Sequence, residues 1–157
     1  MFLKKLLFLP LFILLLATPA FSVSLVGIWD VEFETTHIVR RDGFIKKEAH
    51  FSEYVIRFRQ NGSKLTGDLL GGKGSRGENV CGNGAIEGTI NGRRVEFTLT
   101  FQGSCCPDEQ ENFVGEVSDD GKSLTGKFEP ADTPKGNCYL EYGDVKATKR
   151  EKSRPEN

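Results

Sequence analysis

The sequence predicts an all-β domain, an eight-stranded antiparallel up-and-down barrel, and three observations carry that prediction. Asn61-Gly62, Asn91-Gly92 and Asp120-Gly121 recur about thirty residues apart, and each supplies the positive-φ positions of a tight hairpin turn. Apolar and polar residues alternate between these turns, which is the period of a strand with one covered face. No stretch keeps the i, i+3, i+4 apolar spacing long enough for a helix to do the covering. The sheet must then pack on a second sheet or close on itself, and consecutive antiparallel strands fit closure, which also removes exposed edges.

The first strand sets Trp29, Val31 and Phe33 against Asp30, Glu32 and Glu34. The second begins after Gly43 and sets Tyr54, Ile56 and Phe58 against Val55, Arg57 and Arg59. Leu65, Gly67 and Leu69 share a phase in the third, and Ile86, Gly88 and Ile90 in the fourth. The fifth alternates most regularly, with Val95, Phe97, Leu99 and Phe101 between Glu96, Thr98 and Thr100. The sixth offers Phe113, Gly115 and Val117, and the seventh Leu124, Gly126 and Phe128. The eighth, from about Tyr139 to Thr148, changes phase between Leu140 and Tyr142 on one side and Val145 and Ala147 on the other. A bulge near Gly143 is the expected remedy, because one extra residue reverses the facing of all that follow. The in-phase Gly67, Gly88, Gly115 and Gly126 either let strands bend or leave room inside, and the sequence keeps both alternatives open.

Residues 1–22 read as a signal peptide: Lys4 and Lys5 precede an apolar run from Leu6 to Ala17, and Thr18-Pro19-Ala20-Phe21-Ser22 offers small residues for cleavage. The run is broken by Pro10 and falls short of the ~20 residues that span a bilayer, so a periplasmic or secreted protein with no stable membrane span is expected. Residues 23–150 then form a single domain and 151–157 a disordered polar tail. Of 21 Lys and Arg, Lys4 and Lys5 leave with the leader, so 19 basic face 22 acidic side chains, a net of about −3. That balance suggests no nucleic-acid partner, since neither a basic face nor an excess of Lys and Arg is obvious outside one short stretch.

Gly27-Ile28-Trp29 on the first strand is a Gly-x-Trp motif, and Ser118-Asp119-Asp120 lies in the turn between the sixth and seventh strands. With these the chain resembles a lipocalin, or more broadly a calycin-type barrel. The resemblance implies an open mouth at the end that carries the loops after the first, third, fifth and seventh strands. It also implies a basic residue of the last strand packed over the Trp, for which Lys146, Lys149 and Arg150 are candidates. The helix that lipocalins pack beside the barrel has no counterpart, since only Glu151 to Asn157 follow Arg150.

Cys81, Cys105, Cys106 and Cys138 all fall in the long connections of the mouth end. An even number of thiols in an exported protein points to disulfides. The loop holding Cys105 and Cys106 lies between the other two, so Cys81 and Cys138 are each expected to pair with one member of the doublet. Cys-x-x-Cys spacing is absent, which argues against a redox pair or a thiolate metal centre.

Other motifs carry less. Gly67 to Gly74 approaches a phosphate-loop spacing, but Gly74 stands where Ser or Thr is needed and no helix follows, so a flexible rim loop is expected. His37 and His50 flank the first hairpin in diagonal positions; with no further ligand in view they read as solvated polar residues, and neither metal nor cofactor is expected. Arg40, Arg41, Lys46 and Lys47 form a basic hairpin tip, which reads as a solvated charged hairpin, with an acidic partner or lipid headgroups as the alternative. No Ser-His-Asp set, inward acid pair or activated nucleophile can be assembled, so no enzyme is expected.

Two functions fit the barrel. One is a carrier of a small hydrophobic molecule held in the lumen by Trp29, Phe33, Tyr54, Ile56, Phe58, Phe97, Leu99, Phe101, Phe113 and Phe128. The other is a filled barrel whose rim loops bind another protein, in the manner of small protease-inhibitor barrels. Mass mapping of the exported protein under non-reducing conditions is expected to show no free thiol, with cross-links from Cys105 and Cys106 to Cys81 and Cys138; four free thiols would overturn the pairing.

Overall fold

The computed structural model describes residues 23–41, 44–74, 83–102, 110–131 and 140–151. Alternation becomes eight strands: β1 (Gly27–Arg41), β2 (Phe44–Asn61), β3 (Lys64–Gly74), β4 (Asn83–Asn91), β5 (Arg94–Gln102), β6 (Gln110–Val117), β7 (Ser123–Pro130) and β8 (Leu140–Lys149). Each pairs antiparallel with the next, and β8 pairs with β1 from Trp29↔Lys149 to Ile38↔Leu140, so the sheet is a closed barrel. The predicted leader, all four cysteines and residues 152–157 lie outside the described residues.

The turns behave as their residues dictate. Gly62, Gly92 and Gly121 hold φ of 59°, 61° and 69°, the left-handed region that glycine enters without a Cβ penalty. In the β6–β7 turn, the Ser118 hydroxyl accepts hydrogen bonds from the Lys122 and Ser123 backbone N–H groups and donates to Asp120. That donation, followed by the Lys122 N–H, holds the Asp120 carboxyl below its ordinary range. These turns share one end of the barrel, and the long connections share the other, which we term the mouth.

Two expectations about register need correction. β8 has no bulge at Gly143: its ladders to β1 and β7 run without interruption. Tyr142 simply takes the phase of exposed Asp144, Lys146 and Thr148, while Val145 and Ala147 are buried. The irregularity lies instead between β2 and β3, where Val55 pairs with Gly71 and Ile56 with Leu69, leaving Leu70 without a partner. Leu69 lies inside and Leu70 outside, as alternation from Leu65 requires, and the bulge shifts the phase after them so that Gly72 and Gly74 stand opposite Tyr54 and Ser52. The second correction follows from it: Gly67 to Gly74 belongs to β3 rather than to a rim loop, because the β2 ladder continues to Ser52↔Gly74.

The interior is built from aromatic rings. Phe97 stacks on Phe113 with ring centroids 4.6 Å apart, and Phe113 meets Phe128 at 5.3 Å. Three contacts join strands that are not neighbours: Phe58 of β2 to Phe97 of β5 at 5.5 Å, Phe33 of β1 to Phe128 of β7 at 4.8 Å, and Phe97 of β5 to Phe128 of β7 at 5.7 Å. Trp29 joins through Phe58, and Tyr54 through Phe33. Such edge and offset contacts add about 0.5–1.5 kcal/mol each beyond the area they bury. Gly115 and Gly126, paired with each other, make this packing possible: a Cβ on either would run into the Phe113 ring and a neighbouring carbonyl. Of the two roles the sequence left open, these glycines serve close approach, and a ring fills the space.

The outer wall is polar, with Asp30, Glu32, Arg57, Glu87, Lys127 and Asp144 exposed. Arg150 forks onto both carboxylate oxygens of Asp30 at 2.6–2.9 Å. These hydrogen bonds hold the Asp30 carboxyl below its ordinary range. The sign follows: the pair stabilises the fold above the ordinary carboxylate range and is lost as acid protonates Asp30. Both groups are about half exposed, so the contribution is small. Gly115→Ala is expected to destabilise the barrel by about 1–3 kcal/mol through overpacking against Phe113, read as a lower urea midpoint with an unchanged slope.

Candidate functional site at the mouth of the barrel

The two ends of the lumen differ. At the turn end, residues 23–26 cross the opening and bury Leu25 completely. The Trp29 indole N–H donates to the Leu25 carbonyl at 2.8 Å, and the Leu25 N–H donates to the Gln60 side chain at 3.0 Å. Lys149 lies over the Trp29 ring with its Nζ 5.8 Å from the centroid and donates to the Ser24 carbonyl at 3.2 Å. It is thus the basic residue at the Trp, while Lys146 is exposed on the outer wall and Arg150 is held by Asp30. Gly27 leaves the path clear, since a Cβ there would stand 3.0 Å from Lys149 Cε. This end is sealed.

The interior becomes more accessible toward the mouth. Trp29, Leu65, Val95 and Val117, near the sealed end, are 0% exposed, whereas Tyr54 reaches 7% and Phe101 8%. All ten lumen residues read from the sequence (Trp29, Phe33, Tyr54, Ile56, Phe58, Phe97, Leu99, Phe101, Phe113 and Phe128) are buried inside. They do not form one open cavity. Seven of them are linked by the ring contacts described above into a floor.

Sequence reading treats the lumen as apolar, and here the structure corrects it. Ser52 and Glu111 are buried on the inner face, at 1% and 6% exposure. Each is the next inward residue toward the mouth from a member of the floor, Ser52 from Tyr54 and Glu111 from Phe113. They stand on β2 and β6, opposite walls of the closed barrel. Among the described residues the Ser52 hydroxyl has no hydrogen-bond partner. Extending each strand's alternation by one step would have found both residues; their polarity hid them. The wall beside Ser52 carries no side chain at Gly72 and Gly74, the register partners of Tyr54 and Ser52. The result is a small-walled polar collar, marked by Ser52 and Glu111, directly above an aromatic floor.

An external groove of about 600 Å³ runs between β1, β2 and β3, lined by Asp30, Glu32, Glu53, Val55, Gly71, Gly72, Lys73 and Arg150. It is wide open and charged, and Arg150 is already committed to Asp30, so the collar is the better candidate. His37 pairs with Glu48 and His50 with Thr35, which confirms the diagonal offset of the two histidines at the level of backbone register.

No protein-family model matches the chain, and no curated protein matches it. The class is therefore defined by its architecture: a closed, eight-stranded antiparallel β-barrel, sealed at the turn end and filled by aromatic rings up to a polar collar. Ser52→Ala is expected to raise unfolding stability by about 1 kcal/mol, because it removes a buried hydroxyl that lacks a partner. An urea midpoint that falls by a similar amount would show that the hydroxyl is hydrogen-bonded.

Proposed function

We propose that the chain is an exported, lipocalin-like binding protein that holds a small, largely apolar molecule at the mouth of its lumen, and that it is not an enzyme. The observation that carries this reading is the Ser52 hydroxyl, buried above the aromatic floor and without a hydrogen-bond partner among the described residues. A buried polar group without a partner costs about 1–3 kcal/mol, and a ligand's hydrogen-bonding group relieves that cost. The rising exposure of Tyr54 and Phe101 supports access from the mouth. The charged outer wall suits an exported protein surrounded by water, the inverse of a lipid-embedded barrel with its outward apolar band. The ligand would rest on Phe33, Tyr54, Phe101 and Phe128, while Trp29, Phe58, Phe97 and Phe113 act as packing beneath it.

The second reading, a filled scaffold that binds a protein through its rim loops, is favoured by the ring contacts that cross the lumen from Phe58 to Phe97 and from Phe33 to Phe128. Native mass spectrometry of protein purified from its own compartment separates the two. A carrier is expected to retain a co-purifying small molecule that is lost in Ser52→Trp, where the indole occupies the collar. Wild-type protein that is ligand-free after gentle isolation, and that takes up no apolar probe, would favour the scaffold.

A further inference from the structure

We infer that the molecule held at the mouth carries a cationic, hydrogen-bond-donating head, a primary amine on an apolar body, and that Glu111 and Ser52 receive this head. Among the described residues these two are the buried polar side chains, at 6% and 1% exposure, and both face inward one step above the aromatic floor. The Ser52 hydroxyl, with no hydrogen-bond partner among the described residues, is able to accept one bond and donate another. Glu111 brings a carboxyl, whose two oxygens hold about four lone-pair sites. It already engages another group, and that capacity leaves room for a ligand's donor beside the existing contact.

The distribution of charge selects the sign of the head. Every Lys and Arg whose side chain is described is exposed, except Lys149, which is half-buried over Trp29 at the sealed end. Among its described residues the inner face therefore presents a carboxyl and no base. A fatty carboxylate would set like groups together there, with no described cation to balance them, whereas an ammonium brings three donors and the opposite charge. Burying a charge is costly unless it is paired and hydrogen-bonded, so an ammonium that meets Glu111 and Ser52 recovers part of its own desolvation. An alcohol head supplies the hydrogen bond without the charge and ranks between the two. Gly72 and Gly74 leave the β3 wall without side chains at the level of Tyr54 and Ser52. The apolar body lies against Tyr54 and Phe101, the more exposed of the inward rings. This preference presupposes the carrier reading of the mouth and adds to it the sign and polarity of the ligand.

The test uses the full exported protein with its cysteines oxidised and three probes that share one alkyl chain and differ in the head: decylamine, decanol and decanoate. Each is titrated by isothermal calorimetry at neutral pH, below the concentration at which it aggregates. Decylamine is expected to bind saturably and at least about tenfold more tightly than decanoate, the scale of one hydrogen bond to a charged group, with decanol between them. In Glu111→Gln, which keeps the shape and removes the charge, decylamine is expected to lose that advantage while decanol keeps its affinity. Far-UV circular dichroism matching the wild type separates loss of the head contact from loss of the fold, and the order of the three probes on the wild type decides the matter without the variant. Decanoate bound as tightly as decylamine, or an amine preference that survives in Glu111→Gln, would overturn the amine head and leave the carrier reading standing. Saturable binding of none of the three would sink the carrier reading, and the amine head with it.

Discussion

Pairing of β1 with β8 is the constraint on which the rest of the molecule depends. Every other ladder joins strands that are neighbours in sequence, so each can form locally. The β1–β8 ladder joins residues more than a hundred positions apart, from Trp29↔Lys149 to Ile38↔Leu140, and it carries the largest loop-closure cost. Until it forms, both edges of the sheet are open and the aromatic side chains lie on one face of a ribbon. Once it forms, Phe33 meets Phe128 across the seam, Lys149 reaches Trp29, and Arg150 reaches Asp30. The seam thus couples the packing of the core with the sealing of the floor.

Within the closed wall, packing has a direction. Rings that touch across the lumen leave no room for a ligand near Trp29, and the residues above them become smaller and more polar. Glycine serves both zones differently. Gly115 and Gly126 bring Phe113 down onto the wall and fill the centre, while Gly72 and Gly74 follow the β3 bulge and leave the collar thinly lined. The same residue type fills one level and opens the next, and only its register neighbours decide which.

Much of this was legible in the sequence, and the failures have physical causes. Val95, Phe97, Leu99 and Phe101 alternate without interruption because β5 pairs on both sides along most of its length with no bulge. β8 misleads because Tyr142 is aromatic yet lies in the outer phase, so apolar content suggests a slip that the ladders do not show. The β3 bulge is invisible because adjacent Leu69 and Leu70 look alike while one is buried and the other exposed. Ser52 and Glu111 are missed because alternation was traced through apolar residues and stopped where polarity changed. The choice of Lys149 over its neighbours depends on three-dimensional approach, to which the loose spacing near the C-terminal end of the last strand gives no clue.

The seal made by Leu25, Trp29 and Lys149 has a further consequence for the polarity of the barrel. Residues 23–26 and 149–151 meet at that seal, joined by the hydrogen bond from Lys149 to the Ser24 carbonyl. Val23 and Glu151 therefore both lie on the side opposite the mouth. The two ends of the described chain and the collar thus occupy opposite poles of the barrel.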